Sequence, residues 1–243
     1  MAISIDRVYQ KVLALANKEQ RGYITPQEFN LFADHAQQDI FNQYFYDLEQ
    51  SSRGNASSLD YADKVTNIES KISLFEKYDE DVSFGTYGDV ELGGVNIYRL
   101  GMVRVGYGQK PQREAEQIQL KELNTYLNSP LTSSGSLAGP YYTKYYSQNN
   151  TLRIKVYPYP ANQDTVKISY IENIIAPKWT YNIVGTNALY NPADPNFRNF
   201  QLHSSEESLL TIKILQLAGV SIKDYQLTQA AVQEEMKAKQ EKQ

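Results

Sequence analysis

Apolar residues recur at helical spacing toward both ends of the chain and at strand spacing in its middle. Ile5, Val8, Val12 and Leu15 predict a first helix over residues 4–19, capped by Ser4 or Asp6. Thr25, Pro26 and Glu28 mark a second start: a capping threonine, proline at the first helical position and a glutamate three residues after the cap. Phe29, Phe32, Ala33, Ala36, Ile40, Phe41, Tyr44 and Phe45 follow on one face, which predicts the longest helix, from Pro26 to about Leu48. After a small polar loop at 51–58, a third helix is expected from about Leu59 to Phe75. Ala62, Val65, Ile68, Ile72 and Phe75 form its apolar side, and Asp60 complements the dipole of its first turn.

Between Asp81 and Gly108 the period falls to two. The runs 95–100 and 102–105 read as strands punctuated by glycine. Residues 113–127 read as a short charged helix with Ile118, Leu120, Leu123 and Leu127 on its apolar side, followed by a loop at 128–140. Tyr141–Tyr146 and Leu152–Tyr157 flank Gln148-Asn149-Asn150, a hairpin signal because asparagine tolerates left-handed backbone. Thr165–Ile171 supplies another strand, and Pro158 and Pro160 limit the one before it. Residues 173–201 hold three prolines in an irregular stretch, long enough to be functional or braced by a neighbour. Ser204 with Glu207 reads as a second capping box. Leu209, Leu210, Ile212, Ile214, Leu215, Leu217 and Ala218 are too continuously apolar for a surface helix, so this helix should be buried, with Gly219 as its C-cap.

The expected fold class is α+β. A helical core of about four helices carries an inserted antiparallel β-rich domain and a C-terminal helical tail. The expected boundaries are 1–80 for the first part of the core and 81–177 for the insertion. Residues 178–223 then supply the long loop and buried helix that complete the core, and 224–243 the tail. No internal repeat is evident.

Composition narrows the function classes. The 243 residues can bury a sizeable core. Absence of cysteine excludes disulfides and cysteine zinc sites. The net charge of −4 argues against a strongly basic nucleic-acid face. The opening residues lack a basic region followed by an apolar core, and no run approaches the length of a membrane span, so neither a secretory signal nor a membrane partner is expected. Tyrosine is in excess, 20 residues against 8 phenylalanines and 1 tryptophan. Its apolar body and polar tip suit surfaces buried between subunits, though a half-buried tyrosine-rich sheet would use it too. The candidate interface residues are Tyr141, Tyr142, Tyr145 and Tyr146 on the predicted hairpin and Tyr225, Leu227, Val232 and Met236 in the tail.

Catalytic patterns are missing from the sequence. His35 and His203 have no partner at metal-ligand spacing, and structural or local surface roles are expected for them. Gly101, Gly106 and Gly108 do not make a phosphate loop, and no Gly-x-Ser-x-Gly occurs. Asp79-Glu80-Asp81 lacks the spaced oxygen ligands of a calcium loop and reads as a solvated run at a domain junction. Arg99, Arg104, Lys110 and Arg113 interleave with Tyr98 and Tyr107, as single-strand binders do, but Glu114 and Glu116 follow at once. No catalytic residue, metal or cofactor is therefore expected, and the chain is not expected to be an enzyme.

Three segments resemble bacteriophage neck proteins: Ile5–Phe45 with its Arg21-Gly22-Tyr23-Ile24-Thr25-Pro26 entry to the long helix, Leu152–Pro160 followed by Val166–Tyr170, and Leu209–Asp224. The chain resembles the head-to-tail adaptor, or neck-ring connector, family. That resemblance implies a structural virion protein assembled in the host cytoplasm as a ring, commonly of twelve copies, between the portal protein and the next neck or tail protein. DNA would pass through its lumen without sequence-specific contact, and the tail beyond Asp224 would dock on the portal. Another tail or baseplate protein is the alternative, and a phage-encoded hydrolase a more distant one.

Overall fold

The computed structural model describes residues 3–18, 24–53, 59–108, 111–129, 139–161, 164–185, 187–221, 233–234 and 236–237. The helices are α1 (Ile5–Lys18), α2 (Pro26–Arg53), α3 (Leu59–Ile72), α4 (Leu123–Asn128) and α5 (Glu207–Ser221). The strands are β1 (Glu76–Val82), β2 (Asp89–Glu91), β3 (Ile97–Gly106), β4 (Arg113–Glu114), β5 (Glu116–Ile118), β6 (Tyr141–Tyr146), β7 (Leu152–Tyr157), β8 (Thr165–Glu172), β9 (Tyr181–Val184) and β10 (Asn187–Tyr190). The fold is α+β. The chain divides into two compact units, one formed by Met1–Leu74 with Ile174–Gln243 and the other by Phe75–Asn173.

In the first unit α2 packs along α5 and against α3, and α1 packs on α5. The sequence pattern explains α2 directly. Phe29, Ala33, Ala36, Ile40, Phe41 and Tyr44 are all buried, one face of a helix that starts at the expected proline. Its entry is a formed capping box: Glu28 N–H donates to Thr25 Oγ1 at 3.3 Å, and Thr25 N–H donates to Glu28 Oε2 at 2.9 Å. Replacing Thr25 with alanine is expected to cost about 1 kcal/mol, read by urea denaturation. The bonds from Thr25 hold the Glu28 carboxyl below its usual range. Its contribution is thus present above the ordinary carboxylate pKa and lost as pH falls through the lowered value, so the Thr25→Ala deficit should shrink in acid.

The last helix starts differently from expectation. A 3-10 turn over Ser204–Glu206 leads into α5, and the cap is His203, whose side chain accepts from Ser205 N–H. Glu207 is not free to close a box on Ser204, because Arg7 and Lys11 of α1 hold its carboxylate at 3.0 and 2.5 Å. Gly219 lies inside α5 rather than beyond it. The helix is buried around Leu210, Ile214 and Ala218, and packing overrides the terminating preference of glycine. Lys213, 8% exposed, sits in this apolar setting because Asp39 of α2 meets its Nζ at 2.8 Å.

The proline-containing stretch from Ile174 onward is braced. Gln37, fully buried in α2, donates from Nε2 to Ile175 O at 3.0 Å and accepts from Gln201 N–H at 3.0 Å. Gln201 in turn accepts from Ile175 N–H at 2.7 Å. Asn30, two helical turns earlier on the same helix, brackets Trp179: its Oδ1 accepts from Trp179 N–H at 2.8 Å and its Nδ2 donates to Trp179 O at 3.1 Å. Two amide side chains thus supply the ladder that a non-repetitive backbone lacks.

The second unit is built on two four-stranded sheets, ordered β1-β8-β3-β4 and β2-β7-β6-β5. Their facing residues form one core of Val90, Leu92, Val103, Val105, Ala115, Tyr142, Ile154, Val156, Val166, Ile168 and Tyr170. The β6–β7 hairpin forms as expected, with Asn150 at φ 56° in its turn. Among the described residues all strand pairings are antiparallel except β5–β6. β3 is one strand where two runs were expected. Gly101 is what its bulge requires, since a Cβ there would meet Ser169 O at 2.9 Å.

Two readings of this region are corrected. Residues 113–118 are not helical; only Leu120–Asn128 are. β4 pairs with β3 and β5 with β6, and Ala115 N–H donates to Val103 O at 2.8 Å between them, so this segment crosses from one sheet to the other. Its charged composition favours helix locally, but non-local pairing decides. The acidic run Asp79-Glu80-Asp81 is not at a junction. It lies within edge strand β1, with Asp79 at φ 62° and Lys167 near both aspartates at 3.7 Å.

Candidate interaction surfaces

The first candidate surface grows from Trp179, 2% exposed in the helical unit. Tyr9 packs on its ring at 4.5 Å, and its Nε1–H donates to Asp6 Oδ1 at 3.0 Å. Tyr181 and Tyr190, directly opposite each other in β9 and β10, both stack on it, at 5.7 and 5.8 Å. Thr180 Oγ1 donates to Asn191 O at 2.5 Å and closes the base of the hairpin. The far end is another matter: Ile183, Val184 and Leu189 are 73%, 60% and 53% exposed. From Thr180 to Ala193 the sequence holds no charged residue. The hairpin is therefore anchored at its base and apolar at its tip, although an isolated two-stranded ribbon is marginal in water. The sequence reading left this element inside an irregular stretch. The signal that marks it is Gly185-Thr186 between two apolar tetrapeptides, with Gly185 at φ 65°.

The second candidate surface is a row of tyrosines on the second unit. Tyr126, Tyr141, Tyr157, Tyr159 and Tyr87 follow one another at ring separations of 5.5, 5.4, 5.2 and 6.2 Å. The row runs from buried to exposed: Tyr141 and Tyr157 are covered, whereas Tyr159 and Tyr87 are 49% and 64% exposed. Lys155 Nζ stands 5.5 Å from the Tyr159 ring centre.

The four hairpin tyrosines divide between core and surface. Tyr141 and Tyr142 are each 3% exposed and belong to the interior of the second unit, contrary to their expected place at an interface. Adjacent strand residues point to opposite faces, and here both faces are covered. Tyr142 enters the core between the sheets, and Tyr141 packs with Ile118 and Tyr157 beneath Leu123, Tyr126 and Leu127. Tyr145 is half-buried and donates to Asp89 Oδ1 at 2.8 Å, leaving Tyr146, 63% exposed, as the accessible member. Of the tail candidates, Tyr225, Leu227 and Val232 lie outside the described residues, and Met236 is helical and 52% exposed.

Burial raises the hydroxyl pKa of several tyrosines. Tyr157 is pushed up to about 12, first by burial and then by neighbouring Tyr159, and Tyr170 to about 12 by burial and its bond to Glu80. Tyr44 and Tyr107 shift the same way for the same first cause. A raised folded-state pKa means that the unfolded chain loses its phenolic proton first, from about 10 upward. Stability should hold up to about pH 10 and fall between about pH 10 and 12. A denaturation series across that window, with phenolate absorbance as the second signal, checks this.

The remaining sequence candidates do not converge. Arg104 is engaged by the Tyr78 hydroxyl and ring and by Asp79 at 3.1 Å. Tyr107 is half-buried and donates to Pro158 O at 2.8 Å, while Arg99 and Tyr98 lie exposed on β3. Lys110 lies outside the described residues. His35 is on the exposed side of α2, and His203 caps the 3-10 turn that leads into α5. Among the described residues no cluster of histidine and carboxylate side chains could hold a metal ion, and no helix is long and apolar enough to cross a membrane.

No protein-family model matches the chain, and a search of curated proteins finds no match.

Proposed function

We propose that this chain is a structural virion protein of a bacteriophage neck, one copy of a ring that joins the portal to the tail and lets DNA pass. The observation that carries the reading is the charge-free hairpin fixed on Trp179, an apolar element presented outward on a rigid base. Such an element suits a protein that works when covered by other protein. The reading also draws on the neck-protein resemblance, whose segments correspond to α1 with α2, to β7 with β8, and to α5. The plan of a helical unit interrupted by a β unit is the one that resemblance implies.

The test is the mass and shape of the purified full-length protein, alone and with the portal of the same phage. Native mass spectrometry and negative-stain microscopy are expected to give a closed ring of about twelve copies, formed alone or on the portal. A species that stays monomeric alone and does not join the portal overturns the reading. Truncation after Lys223 then asks whether the tail is the portal contact. A shortened chain that folds and forms rings but no longer binds the portal would support docking by residues 224–243.

A further inference from the structure

We infer that the β9–β10 hairpin pairs with the hairpin of a second copy of this chain, the outer edge of β9 in one copy against the outer edge of β10 in the next. The inference rests on the ring reading above and names the surface that would make the ring.

The argument begins with the other sheet edges. β1 and β4 border one sheet of the second unit, and β2 and β5 border the other. Each carries charge: Glu76, Lys77, Asp79, Glu80 and Asp81 on β1, Arg113 and Glu114 on β4, Asp89 and Glu91 on β2, Glu116 on β5. Charged side chains on an edge are how soluble proteins prevent strand addition, since pairing would strip them of water. The hairpin departs from this pattern. Among the described residues its sheet has two strands only, so both outer edges are unpaired, and neither strand carries a charge.

The identity of the partner follows from the same comparison. An uncharged apolar strand is matched by another uncharged apolar strand, and the four charged edges of this chain are excluded by the cost of desolvating them. The element that combines an open edge with uncharged side chains is the hairpin of another copy. Its two edges differ: β9 ends in Ile183 and Val184, whereas β10 carries Asn187, Ala188 and Leu189. Pairing unlike edges leaves one β9 and one β10 edge open at the ends of any stack, so it propagates head to tail, and a ring results where the rotation between copies closes. The stacked base holds the ribbon in its paired form beforehand, which lowers the ordering cost of association.

The test uses the full chain. Sedimentation velocity over a concentration series is compared with that of the double variant Ile183→Lys/Leu189→Lys. Both side chains are solvent-exposed, so the circular dichroism spectrum should be unchanged while self-association weakens by about tenfold or more, and any fall in melting temperature should depend on protein concentration. The chain has no cysteine, so single introduced thiols report geometry cleanly. Val184→Cys and Leu189→Cys, mixed under mild oxidation, are expected to give a disulfide-linked dimer in the mixture that neither variant gives alone. An oligomer whose mass the lysines do not change overturns the inference and leaves the ring reading standing. So does a disulfide formed by Val184→Cys alone, which would mean like-with-like pairing. A lysine variant that still self-assembles but no longer joins the portal reassigns the hairpin to a different protein and also overturns it. A chain that is monomeric throughout and does not bind the portal overturns both.

Discussion

Replacing Trp179 with alanine is expected to cost about 3–5 kcal/mol, among the largest single-residue losses in the helical unit. The residue is 2% exposed, and its ring meets Tyr9, Tyr181 and Tyr190 at centroid distances of 4.5–5.8 Å. Truncation opens a cavity between α1 and the hairpin base, and it leaves Asp6 Oδ1 without the indole N–H. Trp179→Phe separates these effects. It keeps an aromatic ring between the tyrosines and removes the indole donor, so its cost should be nearer 1 kcal/mol. Urea denaturation of the two variants gives the energies. In Trp179→Ala the hairpin should also become sensitive to limited proteolysis near Gly185, because its base no longer has a surface to stack on. A loss under 1 kcal/mol, with the hairpin still protected, would mean that the aromatic stack is not what anchors it.

What the sequence revealed and what it hid follow from the range of the interactions. The Thr25-Pro26-Glu28 start was legible because a capping box closes within four residues. The Asn150 turn was legible because a tight hairpin needs left-handed backbone at that position. The expectation that α5 is buried followed from its all-round apolar pattern, and Leu210 and Ile214 are fully buried. The buried roles of Gln37 and Asn30 were not legible. Their partners lie about 140–150 residues away, and nothing in the local pattern of α2 separates an inward amide from an outward one. The β4–β5 crossing failed for a related reason: its charged residues look helical until β3 and β6 are in place. Of the tyrosine hairpin, the strands were read correctly but not the burial, since alternation alone does not say that both faces of a sheet are covered.

The second large effect is expected from Lys71→Met. Glu206 is 1% exposed, and Lys71 Nζ lies 2.6 Å from its Oε1. The same ammonium stands 5.7 Å from the ring centre of Tyr44, whose buried hydroxyl has no hydrogen-bond partner. Removing the lysine's charge while keeping an apolar chain of similar length leaves the Glu206 carboxylate buried beside a thioether. Breaking one side of a buried pair typically costs about 3–5 kcal/mol, more than the intact pair contributes, because the remaining charge has lost a close opposite charge but not its burial; Ser205 Oγ, which donates to Glu206 Oε1 at 3.4 Å, brings no charge to replace it. The sign of the pH dependence follows. Removing the ammonium favours the neutral acid of Glu206 relative to the intact pair. The penalty is then full at neutral pH and shrinks as acid protonates Glu206 and removes the charge that the lysine had balanced. Adding Glu206→Gln to Lys71→Met removes the charge altogether and should recover more than half of the loss at pH 7. Urea denaturation of both variants at pH 7 and pH 5 provides the comparison. A Lys71→Met deficit that is small at pH 7 would mean that water reaches Glu206 and that the pair is no more than a surface contact.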